Sequence, residues 1–189
     1  LAIARLSIAI EQAKQKGFLG LNIQGSKFNF DIEIKEGAGA FVCGEETALI
    51  ASIESKRGMP TAKPPYPSES GLDGKPTIVN NVKTLATVSA IIDQGGDWYA
   101  DIGTDDSKGT AVFALSGKVA NSGLVEVPMG TPISTIVNDI GGGIPHGRQL
   151  KAVHTGGPAG GPIPARYADT PIDYGALKQL GSIIGPTVE

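Results

Sequence analysis

Cysteine is almost missing from this chain. Cys43 is the only one, and the only histidines are His146 and His154. One thiol forms no internal disulfide, and with two imidazoles it builds neither a structural zinc site nor an iron–sulfur site. Such sparse cysteine fits a reducing cytoplasm. A basic excess is missing too. The 16 Lys and Arg stand against 19 Asp and Glu, a net charge of −3, which argues against nucleic acid as a partner. No apolar run is long enough to span a bilayer. The chain opens on Leu1 inside a helical pattern, without the charged n-region and apolar core of a signal peptide. The expectation is a piece excised from a longer protein. Glycine, by contrast, is abundant, at 27 residues with 13 prolines, so loops make up much of the structure. The 189 residues suffice for one large domain or two small ones.

Leu1, Ile3, Leu6, Ile10 and Ala13 recur at helical spacing and predict a helix to Lys16, stopped by Gly17 and Gly20. From Phe28 to Lys35 apolar and polar residues alternate strictly, which predicts a strand with one buried face. A glycine loop follows, then a helix from about Glu45 to Ser55. Helix, strand, glycine loop and helix in that order belong to an α/β layer fold, in which ligands sit at the carboxyl ends of strands. The prolines between Arg57 and Pro76 forbid regular structure there, and a long ordered loop usually has a job. Val82 to Asp93 predicts another helix, ended by Gly95-Gly96, with Asn81 as a good N-cap. Composition changes near Gly103, where the domain boundary is placed. Beyond it, strands at Ala111–Ser116, Gly123–Val127 and Leu150–His154 enclose a short helix at Ile133–Ile140. That order reads as a small β-grasp-like α+β module.

The run Gly37-Ala38-Gly39-Ala40-Phe41-Val42-Cys43-Gly44-Glu45-Glu46-Thr47-Ala48-Leu49 is the most informative stretch. A backbone so poor in side chains can approach a flat or phosphorylated ligand closely. Glu45 and Glu46 fall at the start of a helix. They either bind polar groups of a ligand or merely complement the positive helix end. Gly37 and Gly39 either give way to a ligand or supply a turn. Asn80 and Asn81 precede a helix whose N-terminus suits a phosphate, and simple capping is the plainer account of Asn81. Cys43 beside Val42 reads as a small buried hydrophobe rather than a reactive thiol. Lys56-Arg57 reads as a solvated helix end, and Trp98 and Tyr99 as core or interface residues. Neither histidine has partners that argue for a metal, so no catalytic or metal-binding residue is assigned.

The glycine run resembles the signature of the NADH-binding flavoprotein subunit of respiratory complex I. The same subunit type serves soluble NAD-reducing hydrogenases and NAD-dependent formate dehydrogenases. Lys63-Pro64-Pro65-Tyr66-Pro67, Gly74 to Val82 and Val127-Pro128-Met129-Gly130-Thr131 match in the same order and spacing. The resemblance covers the chain to about Gly185. Thr155 to Gly161 looks more like the version in electron-bifurcating hydrogenases. The tail Pro186-Thr187-Val188-Glu189 departs from the usual glycine pair.

The resemblance implies an NADH:acceptor oxidoreductase subunit that passes hydride from NADH to FMN and single electrons on to a [4Fe–4S] cluster. Gly37, Gly39, Gly44, Glu45, Glu46, Asn80 and Asn81 become cofactor-binding candidates. Residues 1–103 would be the carboxyl part of the FMN-binding α/β domain, and 109–165 the β-grasp-like, soluble-ligand-binding domain. Residues 166–189 would lead to a cluster domain whose four-cysteine motif is not in this sequence, and the upstream flavin loop is expected before Leu1. Also implied are NADH and FMN as ligands, partner subunits of an electron-transfer complex, and a cytoplasmic place at the inner membrane face through those partners. No direct membrane span is expected. Two rivals stay open. One is a structural, docking or cobalamin-like ligand-binding module without catalysis of its own. The other is a relative of the quinone or ferredoxin reductases of electron-transport complexes, which the Cys43 to Thr47 run fits less well.

Overall fold

The structure, a computed structural model, describes residues 1–157, 160–185 and 187–188. The expectations for Pro158, Ala159, Pro186 and Glu189, within the Thr155–Gly161 run and the tail, lie outside the described residues. The chain divides into two units, Leu1–Asn81 and Val82–Glu189.

In the first unit, α1 spans Ala2–Gln15, as the apolar spacing predicts, but buries none of its residues. The amide of Phe18 donates to Ala13 O at 2.8 Å and turns the chain. The predicted strand over 28–35 does not form. Its alternation is present in the sequence, yet Phe28 and Phe30 are exposed and their rings stack on each other. A strand needs a neighbouring ladder to satisfy its backbone. The described partner is a single antiparallel bridge, Gly20 to Phe30. The regular structure of this unit is helical, and the mixed helix and strand content of the described residues as a whole fits the α/β class.

The α2 helix spans Glu46–Ile53 and buries Ala48 and Ile50. It ends before the proline-rich loop, which is irregular apart from a 3-10 turn at Leu72–Gly74. That loop is tied down by side chains. The amide of Asp73 donates to Glu54 Oε1 at 2.8 Å, and that of Leu72 to Thr77 Oγ1 at 2.9 Å.

The second unit opens on helices. α3 (Val82–Gln94) packs on α4 (Gly96–Ala100), a helix the sequence reading had not separated from the Gly95-Gly96 stop. Just beyond, the amide of Gly109 donates to Ile102 O at 2.7 Å, holding α4 to the first strand. The strand β1 (Thr110–Leu115) pairs antiparallel with β2 (Gly123–Pro128) and parallel with the backbone of β5 (Thr187–Val188). A second sheet joins β3 (Ala152–His154) to β4 (Pro162–Pro164). Between β2 and β3 in the chain lies a π-helical run, Thr135–Ile140, where a short helix was expected.

Alternation in β1 sends Ala111, Phe113 and Leu115 inward. They meet Val127, Ile133, Ile136 and Val153 in a continuous apolar core. Burial of each large apolar side chain there stabilises the unit by roughly 1.5–3 kcal/mol. One further helix, α5 (Tyr174–Gln179), closes this core with Leu177. Asp173 is its N-cap: Oδ1 accepts from the Ala176 amide at 2.9 Å and Oδ2 from Thr104 Oγ1 at 2.7 Å. Chiefly through Thr104, these bonds hold the Asp173 carboxyl down to about 2.

Candidate functional site

The chain from Lys35 to Ala40 has no regular structure and, with the 3-10 turn Phe41–Gly44 that follows it, runs beside α2 at Leu49, Ser52 and Ile53. Together they enclose a cleft of about 440 Å³. Gly37, Gly39 and Gly44 line it, with Phe41, Cys43 and Ser52. Gly39 has φ +74°, a conformation that L side chains rarely adopt, so glycine is the residue that makes this turn without strain. Side chains added at Gly39 or Gly44 would meet nothing within 4 Å. The wall is therefore bare backbone facing open space, which lets a flat ligand lie close.

Glu45 and Glu46 stand at the start of α2, beside this wall and outside the cleft lining. Glu45 is the N-cap. Its Oε2 accepts from the amides of Thr47 at 2.8 Å and Ala48 at 3.0 Å, and from the Thr47 hydroxyl. Those amides are thus already satisfied within the chain. The Thr47 hydroxyl bond and then the Ala48 amide hold the Glu45 carboxyl down to about 2.

Lys63 is the residue the sequence reading missed. Its Nζ donates to Glu46 Oε1 and stands 3.4 Å from Glu45 Oε1, so one ammonium bridges both carboxylates. The pair raises the Lys63 pKa, Glu46 most strongly. Two adjacent acids without such a counter-charge would repel. The amide of Thr61 donates to Thr47 Oγ1 at 2.9 Å, which brings the proline-rich loop onto the helix start. The available signal was that Lys63 heads the Lys63–Pro67 run, beyond two acids with no cation beside them in the sequence.

Asn80 and Asn81 are exposed, at the end of the first unit and directly ahead of α3. They do not line the cleft. Cys43 is half-buried rather than fully buried. A Cβ added at Gly58 would stand 2.5 Å from its Sγ, so the thiol lies against the bare backbone of the proline-rich loop. Among the described residues, no three or more His, Cys, Asp or Glu gather where they could hold a metal ion. No described helix is long and apolar enough to cross a membrane.

Residues 1–90 match the family model of the Nuo51 FMN-binding domain. The segment carries the glycine-walled cleft, the Glu45–Glu46–Lys63 cluster and the asparagine pair. Similarity to parts of known subunits extends across nearly the whole chain. The HndC subunit of the NADP-reducing hydrogenase of Solidesulfovibrio fructosivorans is 58% identical over 98% of this chain, which spans 38% of that protein. An NADH-quinone oxidoreductase subunit of Escherichia coli is 42% identical over 97% of this chain, 41% of its own length. Among solved structures, the NAD+-reducing [NiFe]-hydrogenase in the H2-reduced state superposes with a TM-score of 0.71 at 41% identity. That match covers 85% of this chain and 27% of the hydrogenase chain. The chain thus spans about two fifths of the curated relatives' length.

Proposed function

We propose that this Nuo51-type chain supplies part of the FMN and nicotinamide site of an NADH:acceptor oxidoreductase subunit. The observation that carries the reading is the glycine-walled cleft of about 440 Å³ between residues 35–44 and the later turn of α2 at Leu49, Ser52 and Ile53. Its size falls in the range of small-molecule sites, and its bare wall suits a planar ring. When bound, FMN supplies hydride acceptance from NADH and release of single electrons toward an iron–sulfur cluster, whose thiolates lie outside this sequence.

The chain's own residues bind and orient. Gly37, Gly39 and Gly44 let the ligand approach the backbone. Phe41 contributes apolar cover and helps exclude water. Lys63 holds Glu45 and Glu46 in place, so that Glu46 can accept from ribose or amide groups of the nicotinamide. Asn80 and Asn81, which precede a helix in the sequence, suit a phosphate. No general acid or base is assigned. The finer domain reading is part of the proposal: residues 1–103 as the carboxyl part of a flavin domain, 109–165 as a β-grasp-like module, and 166–189 as the connection onward. So is the setting, a multi-subunit electron-transfer complex on the cytoplasmic face of a membrane.

The test is an FMN titration of the complete subunit that contains this chain, followed by flavin fluorescence. Gly44→Leu is the informative variant, because a Cβ at this cleft-lining position meets nothing within 4 Å, and a thermal melt reports whether the fold is kept. Wild type is expected to quench FMN, and Gly44→Leu to lose at least roughly tenfold in affinity. Equal binding by both proteins, or no quenching by wild type, would sink the reading.

A further inference from the structure

The second unit carries a cleft that the flavin reading leaves unused. It measures about 550 Å³ and is walled by the β1–β2 connection at 117–119 and by residues 144–152 ahead of β3. A smaller hollow of about 240 Å³ shares Val119, Ile144 and Leu150 with it and reaches the core at Val137 and Val153. Val119, Ile144 and Leu150 are half-buried and pack on that core, so the floor is apolar and firmly backed. The walls are pinned. Amides of Ala120 and Asn121 donate to Gly143 O at 3.0 Å and Gly141 O at 2.9 Å, and the Ala165 amide donates to Lys151 O at 3.0 Å.

The rim is cationic. Lys118, Arg148 and Lys151 line the cleft, and no carboxylate does. All three are exposed, and none is in the ion pairs found among the described residues. This is a local positive patch in a chain of net charge −3. An apolar centre with a charged, solvated rim is the anatomy of a protein interface. A small-molecule site instead places a few enclosed polar groups to fix orientation, and here the polar groups stand outside. A nucleic-acid site would add aromatic stacking platforms, and no Phe, Tyr or Trp lines the cleft.

We propose that this cleft docks an acidic segment of a partner protein, a stretch of carboxylates carrying one apolar side chain that seats between Val119, Ile144 and Leu150. The carboxylates lie along Lys118, Arg148 and Lys151. Because both walls are already held by backbone hydrogen bonds, little ordering of this chain accompanies binding. The proposal is independent of the flavin reading, since all of its residues lie in the second unit.

The test uses the full chain and a fluorescein-labelled glutamate peptide with a central leucine, followed by fluorescence anisotropy. Binding is expected to weaken with added salt. It should weaken roughly tenfold or more when Lys118→Glu, Arg148→Glu and Lys151→Glu are combined. Thermal melts of the triple variant and of its Gln counterpart report whether the fold is kept, and the Gln form should also bind more weakly. Replacing the peptide's leucine by serine should weaken binding without any change to the protein. The proposal is overturned if wild type does not bind the peptide, or if the folded Gln variant binds it as well. Full displacement by inorganic phosphate at matched ionic strength would assign the cleft to small anions instead. Tighter binding of a single-stranded RNA would assign it to nucleic acid.

Discussion

The two units are held by different forces. In the second, β1 alternates inward and outward and Phe113 is 1% exposed within a continuous core. In the first, α2 buries Ala48 and Ile50 while α1 buries nothing, and the loops are fastened by side chains bonding to backbone. Glu45 caps Thr47 and Ala48, Glu54 holds Asp73, and Thr77 holds Leu72. Packing is non-directional and pools over many residues, whereas each polar tie fixes one junction. The region that offers a bare-backbone cleft is thus fastened point by point, and the region with the apolar core is built to persist.

Removing bulk from the core should have the largest effect. Phe113→Ala is expected to cost about 3–5 kcal/mol, read from urea unfolding of the second unit. If signals from the first unit fall in parallel, the contrast between the units is wrong. Ile50→Ala is the matching truncation in the first unit. It should cost about 2 kcal/mol, at the low end for such changes, because Ile50 has fewer buried neighbours to leave behind. A larger loss would reveal a hidden core around α2.

Acid should act on both units alike. Asp173 and Glu45 titrate near 2 in the folded chain, below the roughly 4 of free carboxylates. Each therefore contributes stability above its unfolded value and loses it as the pH falls from about 4 toward 2. Asp173→Asn should flatten that decline in the second unit, and Glu45→Gln in the first, as followed by circular dichroism. A decline unchanged in either variant would remove that carboxylate from the account.

Smaller still, Glu45→Ala should speed amide exchange of Thr47 and Ala48 several-fold while leaving β1 protected. Lys14→Ala, which breaks the exposed pair with Asp31, should leave the melting curve unmoved.

Helices were legible where apolar spacing was backed by a stop, as in α1 before Gly17 and α3 before Gly95. The strands β1 and β2 were legible because each alternates and pairs with the next segment along the chain. The same alternation misled at Phe28–Lys35, because periodicity reports a strand's two faces but not whether a neighbour exists to complete the ladder. The helix α5 was hidden in a short segment whose decisive signal is Asp173, a cap whose second partner, Thr104, is far away in sequence. At the candidate site the glycines were readable as backbone chemistry. Lys63 was not, since nothing local marks a lysine that a proline-rich loop carries back to two acids 17 and 18 positions earlier.

The contact between Gly58 and Cys43 has one more consequence. Cys43 is half-buried, with its sulfur against the loop backbone on one side and the glycine cleft on the other. The single thiol is therefore a built-in reporter of the cleft: a ligand seated there should shield it, and its alkylation should slow as the cleft fills.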